Sequence, residues 1–63
     1  METYELGDLV SVDLDNYRLP PFGTLGLVVD VNHRSSLAEE TYYTIRFNDK
    51  ETYLVYHNDL VKV

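Results

Sequence analysis

Apolar and polar residues alternate along much of this chain with a period of two, the spacing that turns one side of an extended strand towards a core. In the stretch Gly23 to Val31, preceded by Phe22, the residues Leu25, Leu27, Val29 and Val31 share one side, which reads as the first long strand of a small curved sheet. Earlier, Leu9 to Val12 forms a shorter strand with Val10 and Val12 on the inward face. Later, Tyr43, Ile45 and Phe47 alternate with Tyr42, Thr44 and Arg46, and the first set is the better core face. The run Thr52 to Tyr56 returns antiparallel, with two phases open: Tyr53 and Val55 inward, or Leu54 and Tyr56. Leu60 to Val63 closes the series. The predicted strands cover residues 8–13, 25–32, 41–48, 51–56 and 60–63, with Val29, Ile45 and Phe47 at the centre of the core.

The connections carry their own signals. Gly7-Asp8 marks a turn, and Tyr4 and Leu6 are placed to fold back over one end of the sheet. Asp13 to Pro21 is a long loop in which Pro20-Pro21 predicts an extended course from Leu19 to Phe22. Gly23 and Gly26 suit a turn or a close backbone crossing. Between Val31 and Thr41, Ser36 with Glu39 at the third following position has the form of a capping box, and the space admits a single helical turn. Asn48-Asp49-Lys50 predicts a tight turn in which Asn48 or Asp49 takes a left-handed conformation. His57-Asn58-Asp59 predicts another.

Sixty-three residues bound the chain at one domain, residues 1–63, with residues 1–6 expected to be flexible. Without cysteine there is neither a disulfide nor a thiolate metal site. No run approaches the apolar length of a membrane helix and the first residues lack signal-peptide features, so a cytoplasmic protein with no membrane partner is expected. Eleven acidic residues against five basic ones give a net charge of -6, and the arginines and lysines are scattered. That field opposes a phosphate backbone and favours a protein with a basic surface.

Three short motifs carry a resemblance. Gly7-Asp8-Leu9-Val10 resembles the opening of many SH3-like barrels, and Gly23-Thr24-Leu25-Gly26-Leu27-Val28 resembles the glycine-marked second strand of their KOW-type members. Asn58-Asp59-Leu60-Val61-Lys62-Val63 is similar to the Asp-Leu ending that leads into their last strand. The resemblance implies an all-β fold, a small five-stranded antiparallel SH3-like barrel, and a likeness to small accessory proteins of tailed bacteriophages, which would work in the host cytoplasm. Relatives with this barrel attach to ribosomes, polymerases or photosynthetic complexes. The acidic loops depart from the basic loops of KOW-type nucleic-acid binders. The chain also has no tryptophan and no prolines beyond Pro20 and Pro21, so the proline-peptide activity of signalling SH3 domains is not carried over.

Catalysis and metal binding find no pattern. His33 and His57 fall in predicted turns, Ser35 and Ser36 sit in a hairpin tip, and no nucleophile–base spacing is present. Asp13, Asp15 and Asn16 lack the glycine and final glutamate of a calcium loop, and His57 with Asp59 supplies too few ligands for zinc. A non-enzymatic chain without cofactor or metal is expected. Six tyrosines in 63 residues exceed what so small a core buries comfortably, and tyrosine suits protein interfaces. Tyr42, Tyr56 and Tyr17 are the candidate contact residues, with Arg46 beside the first two on the outer face and Leu19 beside Tyr17 in the loop. Tyr43 and Tyr53 are assigned to packing. The expected function is a noncatalytic protein-interaction or accessory module that docks on a larger assembly. The alternatives are a nucleic-acid-associated module using Arg18, Arg46 and Tyr42, and a homo-oligomer formed through exposed sheet surface.

The charge argument predicts no tight binding to mixed duplex DNA or RNA at physiological salt. Fluorescence anisotropy titration checks it, and a salt-dependent complex of submicromolar affinity would overturn it.

Overall fold

β-Branched and aromatic residues at alternating positions favour extended backbone, and the chain uses them to build five strands. These are β1 (Leu9–Val12), β2 (Leu25–His33), β3 (Tyr42–Phe47), β4 (Glu51–Tyr56) and β5 (Leu60–Lys62). The structure is a computed structural model, which describes residues 2–48 and 51–63. All pairings are antiparallel, and the strands lie in the order β4-β3-β2-β1-β5. One 3-10 turn, Ala38–Glu40, precedes β3, and a second, His57–Asp59, joins β4 to β5.

The sheet is not closed. β4 and β5 stand at opposite ends of the ladder and do not pair with each other, so the expected SH3-like barrel is corrected to an open five-stranded antiparallel sheet. The physical reason lies in β5, which spans three residues and spends its pairing on β1. The first outward carbonyl of β5, that of Leu60, is taken by the Tyr4 hydroxyl at 3.0 Å rather than by a strand.

One cluster forms the core: Val10 and Val12 of β1, Val28 of β2, Tyr43, Ile45 and Phe47 of β3, Val55 of β4 and Leu60 of β5. No helical layer covers the inner face among the described residues, so the sheet must curl over itself to bury residues of both edge strands. Two register shifts in β2, between Val28 and Asp30 and between Val31 and His33, are the irregularities that let a long strand bend.

β1 and β3 present the expected faces, and β4 settles on Val55 inward with Tyr53 half-buried. β2 does not follow its expected phase. Gly26 and Val28 point inward, while Leu25, Leu27 and Val29 are exposed and Val31 is half-buried beyond the first shift. Val29, expected in the core, is 38% exposed. The cause is Gly26: a Cβ there would lie 2.5 Å from Ile45 Cγ2 and 2.7 Å from the Phe47 ring, so the empty position is the slot into which these two side chains pack. A pattern of apolar side chains cannot register a slot defined by a missing one.

Three loop expectations also change. Leu19 to Phe22 is not one continuous extended or polyproline-like run; Leu19 N–H donates to Asn16 C=O and Thr24 N–H to Pro21 C=O, which closes a turn at each end of it, the second with Gly23 at φ 88°. The capping box at Ser36 does not form. Leu37 occupies the cap position without a side-chain bond, and it is Ser35 whose hydroxyl accepts the Leu37 N–H. Leu6, placed with Tyr4 to fold back over the sheet, remains 65% exposed, whereas Tyr4 packs against the core. Asn48 takes the left-handed conformation, φ 59°, and the expected Asp49-Lys50 part of that turn lies outside the described residues.

Denaturant unfolding separates the two phases of β2. Val28→Ala should cost about 1–3 kcal/mol through lost burial and a cavity, Val29→Ala less than about 0.5 kcal/mol, and Gly26→Ala about 1–3 kcal/mol by overpacking against Ile45 and Phe47. Equal losses at Val28 and Val29 would refute the inward assignment.

Candidate functional site

The outer face of the sheet carries the side chains that alternate with the core. Register places His33 opposite Tyr42 and Tyr42 opposite Tyr56, so three rings from β2, β3 and β4 stand in one row across the sheet. The His33 and Tyr42 rings stack at 5.6 Å, and those of Tyr42 and Tyr56 meet tilted at 5.4 Å. Such cross-strand aromatic pairs are favourable side-chain contacts in a sheet. Two places along β3 from this row, on the same face, Thr44 donates to the Asn32 side-chain carbonyl at 2.6 Å. Arg46 follows, exposed, opposite Leu27 on β2 and Thr52 on β4.

Tyr42, Tyr56 and Arg46 therefore share the face expected for them. Tyr17 and Leu19 lie in the β1–β2 loop, outside the ring contacts of the row. Tyr17 is 91% exposed, with the Arg18 guanidinium 5.7 Å from its ring centre, while Leu19 is half-buried against the core. Arg18 and Arg46, the cationic pair of the nucleic-acid alternative, sit on different elements, and the contacts of Arg18 are with Tyr17 and Asn16. His33 falls in a predicted turn, and its membership of the row becomes visible only because β2 continues through its two register shifts.

A second cluster, unforeseen in the sequence, closes one end of the sheet. The Tyr4 ring stacks on His57 at 4.5 Å and lies 5.4 Å from Tyr43. The Tyr43 hydroxyl accepts the Tyr4 N–H at 3.1 Å and stands 2.8 Å from His57 Nδ1. With a lone pair accepting Tyr4 N–H, the hydroxyl keeps its own proton for an unprotonated Nδ1, the arrangement that a neutral, Nε2-protonated His57 allows. Burial favours the same state, holding the His57 pKa below its ordinary 6.5. It likewise raises the Tyr4 and Tyr43 hydroxyls and the Asp59 carboxyl above their ordinary values. Beside His57 an open cavity of about 470 Å³ is lined by Tyr4, Ala38, Asn58 and Lys62 among others. The Lys62 ammonium lies 3.8 Å from Asp8. The sequence separations, 39 residues from Tyr4 to Tyr43 and 14 from Tyr43 to His57, explain why no local motif announces the cluster.

Among the described residues, no group of three or more histidine, aspartate or glutamate side chains is placed to hold a metal ion. No protein-family model, curated protein or solved structure matches this chain. The expected likeness to KOW-type and bacteriophage accessory proteins rested on a closed barrel, which this open sheet does not form.

The His57 cluster has a pH consequence. With its folded-state pKa lowered, the unfolded chain takes up a proton first as pH falls, so this contribution is complete above the unfolded value of 6.5 and is lost as pH drops through the lowered folded value. Asp59 acts oppositely: its raised pKa favours the folded state at acid pH, and that contribution disappears as pH rises through the folded value. NMR titration of the His57 ring should give a midpoint below 6.5. Tyr43→Phe should cost about 1–3 kcal/mol by leaving two polar groups without their partner. A His57 midpoint at or above the ordinary value would remove the Nδ1-acceptor assignment.

Proposed function

We propose that the chain is a noncatalytic protein-interaction module that docks on a larger assembly through the outer face of β2, β3 and β4. The observation that carries this reading is the row His33–Tyr42–Tyr56. These rings contact one another on the side of the sheet opposite the core, with His33 and Tyr56 exposed and Tyr42 half-buried between them. Flat rings fixed by cross-strand neighbours lose little freedom on binding, and tyrosine offers apolar area with a hydrogen-bonding tip. Arg46 on the same face adds directed donors for backbone carbonyls or carboxylates of a partner. The net charge of -6 favours a partner whose wider surface is basic. Tyr17 in the β1–β2 loop offers a further exposed ring for a rim contact.

Affinity capture from source-cell lysate, with and without nuclease, identifies the partner class. Nuclease-resistant protein capture is expected, and loss of every partner after nuclease would transfer the reading to nucleic acid. Against the captured protein, Tyr42→Ala and Tyr56→Ala should each weaken binding by roughly 1–3 kcal/mol. Thermal unfolding of the same variants separates contact from folding. Unchanged affinity in both folded variants would remove this face from the reading.

A further inference from the structure

An open sheet leaves two edges, and hydrogen-bond parity shows which of their backbone groups face outward. On the β4 side, His57 N–H donates to Thr41 C=O at 2.8 Å. In an antiparallel ladder this marks every second pair as bonded, here Tyr43–Val55, Ile45–Tyr53 and Phe47–Glu51. Thr52, Leu54 and Tyr56 therefore turn their N–H and C=O groups away from β3. On the β5 side, Asp13 N–H bonds Asp59 C=O and Val63 N–H bonds Leu9 C=O, which leaves Leu60 and Lys62 outward. That edge is guarded, since Leu60 C=O accepts the Tyr4 hydroxyl and Lys62 sets a cation beside it.

Among the described residues the β4 edge has no such guard. Thr52, Leu54 and Tyr56 have exposed side chains, and the whole run Thr52–Tyr56 contains no charge in a chain of net charge -6. It also contains no proline and no lysine, the residues that discourage edge pairing. In a chain of net charge -6, a second copy can approach this run without setting carboxylate against carboxylate within it. The run is also self-complementary. Antiparallel pairing about a two-fold axis at Leu54 sets Leu54 against Leu54 and Thr52 against Tyr56, so every outward-facing residue falls in a hydrogen-bonded pair. A shift by two residues in either direction loses such pairs.

We propose that this chain pairs with a second copy of itself along β4, antiparallel and centred on Leu54, joining the two open sheets into one. The dimer places the two aromatic rows on a single continuous outer face. Its occurrence does not depend on the partner proposed above, and its failure would leave that reading standing. The pairing engages one six-residue edge strand of each copy, the scale of weak contacts below roughly 1,200 Å², so a reversible dimer is expected and is sought between micromolar and millimolar concentration.

Sedimentation equilibrium of the full chain across that concentration range, at low and moderate salt, tests the proposal alongside amide hydrogen exchange. A concentration-dependent dimer is expected, strengthened by salt because the two copies carry like charge. The Thr52, Leu54 and Tyr56 amides should gain protection in step with it. Leu54→Pro removes an N–H that β3 does not use and should weaken the dimer by roughly tenfold to a hundredfold. Leu54→Lys keeps that N–H but sets two ammonium groups face to face at the axis, with a loss in the same direction; circular dichroism verifies the fold of each variant, and Leu54→Lys decides if Leu54→Pro does not fold. A monomer at all concentrations would overturn the proposal, as would a dimer unaffected by the folded Leu54 variants. So would amides protected only on adding a lysine-rich strand-forming peptide, which would assign the edge to a foreign strand.

Discussion

The close approach of Ile45 and Phe47 to the backbone of Gly26 is the contact on which the rest of the structure depends. Gly26 lies in β2, the central strand of five, and its position is buried although it has no side chain to bury. Any Cβ would collide with Ile45 and Phe47, so the two largest aliphatic and phenyl groups of β3 lie over bare main chain. In a sheet without a helical layer, packing of this kind is what brings Val10, Val55 and Leu60 from three other strands into one cluster. The whole inner face thus takes its depth from one absent group.

The same feature explains which parts of the fold could be read in the sequence. On β1 and β3 one phase is wholly apolar and the other holds Ser11, or Thr44 and Arg46, so alternation alone identifies the inward face. On β2 the more hydrophobic phase, Leu25, Leu27 and Val29, points outward, because Gly26 and Val28 of the phase that also holds Asp30 and Asn32 fit under β3. β4 is also ambiguous by itself, and its pairing with β3 chooses Val55 over Leu54. Whether a sheet closes depends on what its two end strands meet, and no local pattern in Glu51–Tyr56 or Leu60–Lys62 encodes that. In the site, the Tyr42–Tyr56 pair follows once the β3–β4 hairpin is assigned. His33 does not, since it joins the row only after β2 runs through two register shifts.

The two aromatic clusters differ in how their polar groups are employed. Around His57 the hydroxyls of Tyr4 and Tyr43 are committed to Leu60 C=O and to the imidazole, and both rings pack on the core. Nearby, the fully buried Thr41 hydroxyl accepts Ser35 N–H and donates to Leu37 C=O, anchoring the turn before β3. Among the described residues no buried side-chain polar atom lacks a partner. This end of the molecule is therefore internally satisfied and has the character of architecture. The row on the outer face is held by ring contacts, and its register keeps those rings on the side away from the core.

The bond from Tyr4 to Leu60 joins residues 56 positions apart, and β1 likewise finds one of its two neighbours in β5. By contrast β2, β3 and β4 form a meander of adjacent segments, whose pairing closes only short loops. In folding this favours an order: the meander closes over short loops, while Tyr4 must wait for β5, the strand that supplies its acceptor. Until β5 docks, Val10 and Val12 lack one wall of the core. The docking of one three-residue strand is thus the event that fixes Tyr4, a residue far from it in sequence.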